Sequence, residues 1–505
     1  MGQDESAERK TPRVPWGLVT FLVILAGLLL RLYHLMSRGL WLGEALDVVI
    51  ALTKNFGEML KLVIKEVYPP FYFVHLRFWV GVFGNTDLAL RLLMLLWGCL
   101  GIYGVYFLCR SGLNWSRRDA NLAALFAAIL PMHAYFSQDV QPHIILFAFA
   151  CFALGFLFRA HQQRKVVDFL LAGLFLALML YTNDSAIVYI IFLSLLYLLF
   201  LFLDRQAIIA RIAGLLLSLA TAVALYAPWL PSAIKQMKRP KIQSGFRYWV
   251  TVPNPGDYLD ALRQQLGNWN LTLPFTVPGF ISWILLIPLL FLVAGGIFVA
   301  IKRRRTKEII LAVVFLLYPV IYYVLSRVLF PMWLPRLFIV SLIGVPVLAA
   351  LGTQMNFLKT RKALAAAAVI AFILVNVFTS LNLLATYQKE DWKSAGQYLS
   401  RTAGSHDAVL IYWGYYSAPL ARYLRPGIEL KKIFIKTKSP NEDISERFAK
   451  DVLNFSQGAR TTFLVLASSN VPEQAFFPLI RDKLKLSRRI SFTGLEILIF
   501  QNIQP

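Results

Sequence analysis

Long apolar runs separated by short polar stretches make up most of the first 385 residues. A helix needs about 20 mainly apolar residues to cross a bilayer core, and runs that approach this length recur eleven times. They lie near residues 16–36, 88–109, 119–136, 142–159, 168–182, 185–203, 206–228, 278–301, 308–327, 337–352 and 363–383. The pattern predicts a polytopic α-helical membrane protein with about eleven or more spanning helices.

One further apolar segment, Phe71 to Phe83, is shorter than the others. Its roughly 13 residues are too few for a comfortable crossing. Counting it as a span would also place every later basic loop outside. We expect it to be re-entrant or interfacial, although a short true span with another crossing elsewhere would satisfy the same pattern.

The Lys and Arg residues between the runs predict an orientation. If the N-terminus is cytoplasmic, alternate crossings place five basic loops on that side, as the positive-inside rule requires. These loops contain Arg110, Arg117 and Arg118; Arg159, Arg164 and Lys165; Arg205 and Arg211; Lys302, Arg303, Arg304, Arg305 and Lys307; and Lys359, Arg361 and Lys362. After an odd number of crossings the C-terminal part lies outside. We expect a multi-pass protein of the cell inner membrane with a periplasmic or extracellular C-terminal domain.

The chain therefore divides into three predicted parts. Residues 1–15 form a cytoplasmic segment, and residues 16–384 form a transmembrane domain with external loops 37–87 and 229–277. Residues 385–505 are polar, and short β-like runs alternate there with amphipathic helical stretches. This length of about 120 residues suffices for one small soluble α/β domain.

Composition agrees with a membrane protein. Hydrophobic residues make up 58% of the chain and charged residues only 15%, against about 25% charged in soluble domains, which excludes an ordinary soluble enzyme. The net charge of +24 reflects the basic loops, so we expect a bilayer and not a nucleic acid as the partner. Cys99, Cys109 and Cys151 lie in apolar runs and predict neither a disulfide framework nor a zinc site.

Five carboxylates gather at the predicted external side. They are Glu44, Asp47, Glu66, Asp139 and Asp184, with Tyr68 and Gln138 beside two of them. A helix would present Glu44 and Asp47 on one face, because they are three residues apart. Carboxylates at membrane boundaries are costly to desolvate, so their grouping indicates a site. They could deprotonate a hydroxyl group or bind a divalent cation, and no other cofactor is indicated.

Basic residues also occur on the external side, against the general bias. Lys235 follows the seventh run, and Arg336 follows a Pro- and Trp-rich stretch. A guanidinium group at headgroup level can hold a phosphate. Anchoring to anionic lipid headgroups is the alternative role for the lysine.

Several short motifs in chain order resemble those of a known family. They are Trp41–Ala45, Tyr68–Tyr72, Leu90–Leu92, Tyr135–Asp139, Tyr181–Thr182, Ala227–Pro231, Leu334–Arg336 and Lys389–Trp392. Together they resemble the bacterial protein-mannosyltransferase-like glycosyltransferases of family 39 and the related aminoarabinose transferases, which have the GT-C fold. The resemblance implies a hexosyl- or pentosyltransferase. It would move one sugar from a polyprenyl-phosphate carrier to a lipid, glycan or protein acceptor on the outer face, usually with inversion.

The resemblance also implies roles for the candidate residues. Glu44 or Asp47 would act as the carboxylate base. The sugar, acceptor and phosphate would be bound by Glu66, Tyr68, Gln138, Asp139, Asp184, Lys235 and Arg336.

The chain departs from the family in the first external loop. Relatives usually carry an Asp-Glu pair whose Asp is the presumed base, whereas this chain has Gly43 before Glu44. The change is compatible with a shifted base, with a different acceptor, or with an inactive homologue that acts as a partner subunit. A lipid-carrier transporter is a further alternative, but the sequence shows neither inverted repeats nor broken midplane helices.

Overall fold

The computed structural model describes most of the chain. The described residues are 14–66, 68–204, 207–237, 250, 252–265, 286–329, 331–355, 362–387, 389–412, 414–433, 444–467 and 473–503. Most of the predicted cytoplasmic segment, residues 1–13, lies outside them, as do residues 238–249 and 266–277 of the predicted second external loop.

Helices form the part of the chain that precedes Lys389. They are α1 (Trp16–Leu32), α2 (Leu42–Ala51), α3 (Phe56–Val63), α4 (Pro70–Phe83), α5 (Asp87–Phe107), α6 (Arg117–Ile129), α7 (Pro131–Phe136), α8 (His143–Gln163), α9 (Val166–Thr182), α10 (Ala186–Asp204), α11 (Ile208–Tyr226), α12 (Leu230–Met237), α13 (Pro255–Gln265), α14 (Ile287–Lys302), α15 (Thr306–Val328), α16 (Gly344–Gly352) and α17 (Lys362–Thr386). Helix α5 continues as a π-helical turn, Leu108–Gly112.

Ten of these helices correspond to ten of the predicted runs. Five, found in the stretches of α5, α8, α11, α15 and α17, are long and apolar enough to cross a membrane, and α1, α9, α10, α14 and α16 are shorter apolar helices. The remaining run, near residues 119–136, forms two helices, α6 and α7. It is divided because Pro131 disfavours a helical conformation at Leu130, whose ψ is 126°. The prediction of a multi-pass helical membrane protein is confirmed, and the count of crossings stays a prediction.

Helix α4 is the short apolar segment. Gly84 ends it with a φ of +79°, a conformation that glycine adopts without strain. Near its start, the Tyr72 hydroxyl donates to the carbonyl of Val140 at 2.6 Å. Just beyond its end, Asp87 Oδ1 accepts from Arg422 Nε at 2.7 Å. Both ends therefore lie on the side of the bundle that carries the C-terminal domain, a geometry that fits an interfacial segment.

The C-terminal domain is a small α/β unit, as predicted. Its elements are α18 (Trp392–Thr402), β1 (Ala408–Tyr412), α19 (Ser417–Tyr423), β2 (Leu430–Ile433), α20 (Ile444–Ser456), β3 (Thr461–Ala467), α21 (Glu473–Ile480), β4 (Leu484–Phe492) and β5 (Leu495–Asn502). The strand order is β2-β1-β3-β5-β4, with β1 parallel to β2 and β3, and β5 antiparallel to β3 and β4. Alternate residues of the buried strands face α18 and α19 on one side and α20 and α21 on the other.

Hydrogen bonds attach this α/β domain to the segment between α1 and α5. The Tyr423 hydroxyl donates to Asp87 Oδ2 at 2.8 Å and accepts from the backbone N–H of Leu40 at 2.7 Å. Lys393 Nζ donates to the carbonyl of Met36 at 2.8 Å. The start of the domain is therefore held directly over α2.

Candidate functional site

Glu44, the first acidic residue of helix α2, is buried inside the protein. The backbone N–H of Trp41, just before the helix, donates to Glu44 Oε2 at 3.0 Å, as the acid of a capping box does. Glu44 Oε1 accepts from the Val140 N–H at 2.6 Å and lies 3.7 Å from Arg91 Nη1. Both oxygens of this buried carboxylate are therefore bonded to backbone N–H groups, and Glu44 links α2 to the turn before α8.

The environment of Glu44 favours partial protonation near neutral pH. Burial raises the pKa of Glu44 to about 7, although the charge of Arg91 acts in the opposite direction. Arg91 also donates to the carbonyls of Gln138 and, at 3.1 Å, Gly39. The guanidinium group is thereby fixed beside the carboxylate.

Asp139 is the carboxylate with an available oxygen. Its Oδ1 accepts from the indole N–H of Trp41 at 2.9 Å, and its Oδ2 lies 3.8 Å from Lys389 Nζ. Oδ2 is buried and has no hydrogen-bond partner among the residues that the structure describes. Burial alone would raise the pKa of Asp139, but Lys389 and the indole N–H together hold it below its ordinary value. Lys389 and the indole N–H therefore favour the charged form of Asp139.

The ring of Trp41 occupies the space beside Gly43. A Cβ atom on Gly43 would lie 2.8 Å from two ring carbons of Trp41, closer than such atoms approach in real structures. Lys389 Nζ lies 3.5 Å from the ring centroid, a cation–π contact. Any side chain at position 43, including the Asp of the resembling family, would therefore require the indole to move.

A second group of acidic residues lies around Asp47, further along α2. Asp47 is buried on the same face as Glu44, and its Oδ2 is 3.5 Å from Gln141 Nε2. Burial, and then the charge of Glu66, raise the pKa of Asp47 well above its ordinary value. The hydroxyl of Tyr68 lies 3.4 Å from Gln141 Oε1, which brings this tyrosine into the same group.

Two cavities adjoin these groups, and both are lined by Tyr135 and Lys389. The smaller, of about 20 Å³, is lined by Arg38, Gly39, Trp41, Glu44, Arg91, Tyr135, Gln138, Asp139, Lys389 and Glu390. Such a volume holds about one water molecule, so a sugar can enter only if a side chain moves. The larger, of about 370 Å³, is lined by Tyr135, Phe136, Gln264, Leu334, Pro335, Arg336, Leu383, Tyr387 and Lys389.

The larger cavity combines two cations with apolar walls. Arg336 and Lys389 supply the positive charge, and Phe136, Leu334 and Leu383 supply apolar surface. Burial lowers the pKa of Lys389, Asp139 opposes this shift, and Arg336 adds to it. The arrangement suits a phosphate attached to an apolar chain.

The structure brings most of the predicted site residues together. Those within the two acid groups are Glu44, Asp47, Glu66, Tyr68, Gln138 and Asp139, and Arg336 lines the adjoining cavity. The contacts described for Lys235 and Asp184 do not reach these groups. Lys235 is exposed on α12, and Asp184 lies beyond α9 near Tyr226, where burial raises its pKa to about 7. Their assignment to the site stays a prediction.

The sequence gave no role to several site residues, and the most important of them are Trp41, Arg91 and Lys389. Each stands in a motif that carried the resemblance. Arg91 also gave a physical signal, because it is the only charged residue within the run 88–109, and charges inside apolar spans are usually functional. No local pattern could have indicated that Lys389 reaches across to Trp41.

Metal binding stays an open expectation. Within the described ranges, no three His, Cys, Asp or Glu residues are grouped so that they could hold a metal ion. The acids that do approach one another already face Arg91 and Lys389.

Comparison with known proteins identifies the fold. Residues 67–231 match the family described as dolichyl-phosphate-mannose-protein mannosyltransferase. No curated protein matches the sequence. The structure is similar to ArnT from Cupriavidus metallidurans bound to undecaprenyl phosphate, with a TM-score of 0.61 and 12% identity over 97% of this chain and 98% of that one.

A second similar structure is an archaeal enzyme. It is the oligosaccharyltransferase AglB from Archaeoglobus fulgidus in complex with an inhibitory peptide and a dolichol-phosphate, with a TM-score of 0.59 and 14% identity over 97% of this chain and 74% of that one. The chain is therefore a multi-pass membrane protein with the GT-C fold, which it shares with these two structures.

Proposed function

We propose that the protein is a membrane glycosyltransferase that moves a hexose or pentose from a polyprenyl-phosphate carrier to an acceptor hydroxyl. The observation that carries this proposal is the position of Lys389, which lies 3.8 Å from the buried carboxylate of Asp139 and lines an apolar-walled cavity together with Arg336. The similar structures contain undecaprenyl phosphate or dolichol-phosphate, both of the carrier class.

These groups match the needs of the reaction. The acceptor oxygen attacks the anomeric carbon with inversion, and the bond from that carbon to the phosphate oxygen breaks. A carboxylate takes the proton of the acceptor, and the cations stabilise the charge on the departing phosphate. A phosphodiester is already a competent leaving group, so the site needs no general acid.

The site and the α/β domain lie on one side of the bundle, because Lys389 leads directly into that domain. With a cytoplasmic N-terminus, which the basic loops favour, this side is periplasmic or extracellular at the inner membrane. The carrier would then enter from the outer leaflet. A lipid, glycan or protein acceptor would approach beneath the α/β domain.

A transfer assay tests the proposal. The purified protein is incubated with radiolabelled undecaprenyl-phosphate hexoses and pentoses and with lipid, glycan and peptide acceptors. We expect label to leave the carrier for one acceptor class, and Lys389→Met with Arg336→Met to abolish the transfer. Lys432→Met is the matched control, because Lys432 is exposed on β2. Absence of transfer by the unmodified protein with every donor would contradict the proposal and favour an inactive partner subunit.

A further inference from the structure

The site contains three carboxylates that could accept a proton, and their surroundings differ. Both oxygens of Glu44 are held by backbone N–H groups, at 3.0 Å from Trp41 and 2.6 Å from Val140. Each oxygen is already bonded, so an acceptor hydroxyl would have to share it with a backbone N–H group. Asp47 is not among the residues that line the smaller cavity, so a reacting hydroxyl there would not meet it.

Asp139 combines the remaining requirements. It lines the smaller cavity, its Oδ1 is fixed by the Trp41 indole at 2.9 Å, and its buried Oδ2 has no hydrogen-bond partner within the described residues. A fixed carboxylate with one open oxygen is the arrangement that a positioned general base needs. Position 43 cannot supply a base, because the Trp41 ring occupies the space of its side chain.

Lys389 lies between Asp139 and the larger cavity, where the phosphate of the donor would bind. Its ammonium lies 3.8 Å from Asp139 Oδ2 and also lines the larger cavity with Arg336. The smaller cavity has room for about one water, so a bound sugar requires a side chain to move. Lys389 borders both cavities, and a phosphate in the larger one would attract it away from Asp139.

We propose that Asp139 is the catalytic base of the transfer, that Trp41 is the positioning residue that aims it, and that Lys389 couples proton transfer to departure of the phosphate. This inference rests on the proposed function and names the residues that perform it. Gly43 is then the residue that makes room for Trp41.

Departure of the phosphate and transfer of the proton occur together. The donor phosphate draws Lys389 toward the larger cavity, and Asp139 loses its nearest cation and becomes a stronger base. The proton of the acceptor hydroxyl passes to Oδ2 of Asp139 while its oxygen bonds to the anomeric carbon. The electron pair of the breaking bond stays on the phosphate oxygen, beside Lys389 and Arg336. Asp139 later releases its proton to water.

Azide as an alternative acceptor tests this assignment, because azide attacks carbon without a proton to remove. The unmodified enzyme and its variants are compared in transfer to the hydroxyl acceptor and in formation of the glycosyl azide. We expect Asp139→Asn to lower hydroxyl transfer at least about 100-fold, the contribution of a positioned base, while azide transfer changes by less than about threefold. Asp139→Glu should recover part of the hydroxyl transfer.

The companion variants separate the roles of the neighbouring residues. Trp41→Phe removes the indole N–H and should lower kcat for the hydroxyl acceptor without changing KM for the donor. Lys389→Met should lower both transfers, because it acts on the leaving group. Asp260→Asn, a change at an exposed residue of α13, is the control and should leave both transfers unchanged.

The outcomes distinguish this inference from the proposed function. If the unmodified protein transfers sugar and Asp139→Asn retains most hydroxyl transfer, Asp139 is not the base although the function stands. Equal loss of hydroxyl and azide transfer in Asp139→Asn would also overturn the assignment, since it indicates damage to the fold or to donor binding. An unmodified protein that transfers sugar to neither acceptor overturns both.

Discussion

The indole N–H of Trp41 donates a 2.9 Å hydrogen bond to Oδ1 of Asp139, which joins the segment before α2 to the turn before α8. The bond depends on a third residue, because the ring stands where a side chain on Gly43 would be. Position 43 therefore carries no carboxylate in this protein, and the ring of Trp41 occupies the space that such a side chain would need.

Gly43→Ala should disrupt this arrangement. The added methyl group would overlap the Trp41 ring, and overpacking of this kind costs about 1–3 kcal/mol. If the indole moves away from Asp139 instead, we expect transfer to fall at least about tenfold, equivalent to about 1.4 kcal/mol in the barrier. Gly43→Asp should likewise lower activity. The measurements are the transfer rate and the midpoint of thermal unfolding.

Gly81→Ala is the matched control for this change. Gly81 lies within helix α4, and nothing stands within 4 Å of the position that its Cβ would take. Alanine there should leave transfer unchanged and slightly stabilise the helix, by up to about 1 kcal/mol. Equal activity of the two alanine variants would show that the Trp41 ring does not need a glycine at position 43.

Arg422→Met should weaken the attachment of the α/β domain. Arg422 Nε lies 2.7 Å from Asp87 Oδ1, and both side chains are largely buried. Because this attachment places Lys389 over the site, we expect KM for the donor to rise about fivefold, equivalent to about 1 kcal/mol for one ion pair. Faster proteolytic cleavage between α17 and α18 should accompany the change.

The control for Arg422→Met is an ion pair within the domain itself. Arg489 on β4 lies 3.2 Å from Glu496 on β5, and both side chains are more than one third exposed. Such a pair contributes little to stability. Arg489→Met should therefore leave KM and cleavage unchanged, and a rise in KM equal to that of Arg422→Met would refute a specific role for the attachment.

The amino-acid sequence was sufficient to predict those structural features that depend on the local pattern of residues. Apolar runs predicted ten helices that the structure contains, and alternation predicted the α/β domain. The spacing of Glu44 and Asp47 predicted that both lie on one face of a helix, and α2 buries both. A 3.6-residue period determines which side chains share a face and therefore makes such predictions sound.

The site itself depends on contacts that no local pattern encodes. Trp41 and Asp139 are separated by 98 positions, and the bond from the Leu42 N–H to Glu390 spans 348. The sequence also indicated a site role for Lys235, whose exposed side chain has no described contact with the acid groups, and gave none to Lys389. Charge and burial in the folded protein, rather than residue type, separate these two lysines.

The stability of the protein should depend on pH through Glu44. Its pKa is about 7 in the folded protein against an ordinary 4.5, because burial outweighs the effect of Arg91. The folded state thus binds this proton more tightly than the unfolded chain does. The contribution of Glu44 to stability is then complete below pH 4.5 and declines as pH rises through about 7. Asp47, whose pKa is also raised, contributes with the same sign.

Glu44→Gln isolates this contribution, because a glutamine does not titrate. We expect the midpoint of thermal unfolding of the unmodified protein to fall between pH 5 and pH 8, and that of Glu44→Gln to fall less. Glu58→Gln, at an exposed acid of α3, should keep the slope of the unmodified protein. Identical slopes in Glu44→Gln and Glu58→Gln would mean that the proton on Glu44 is bound no more tightly in the fold than in the unfolded chain.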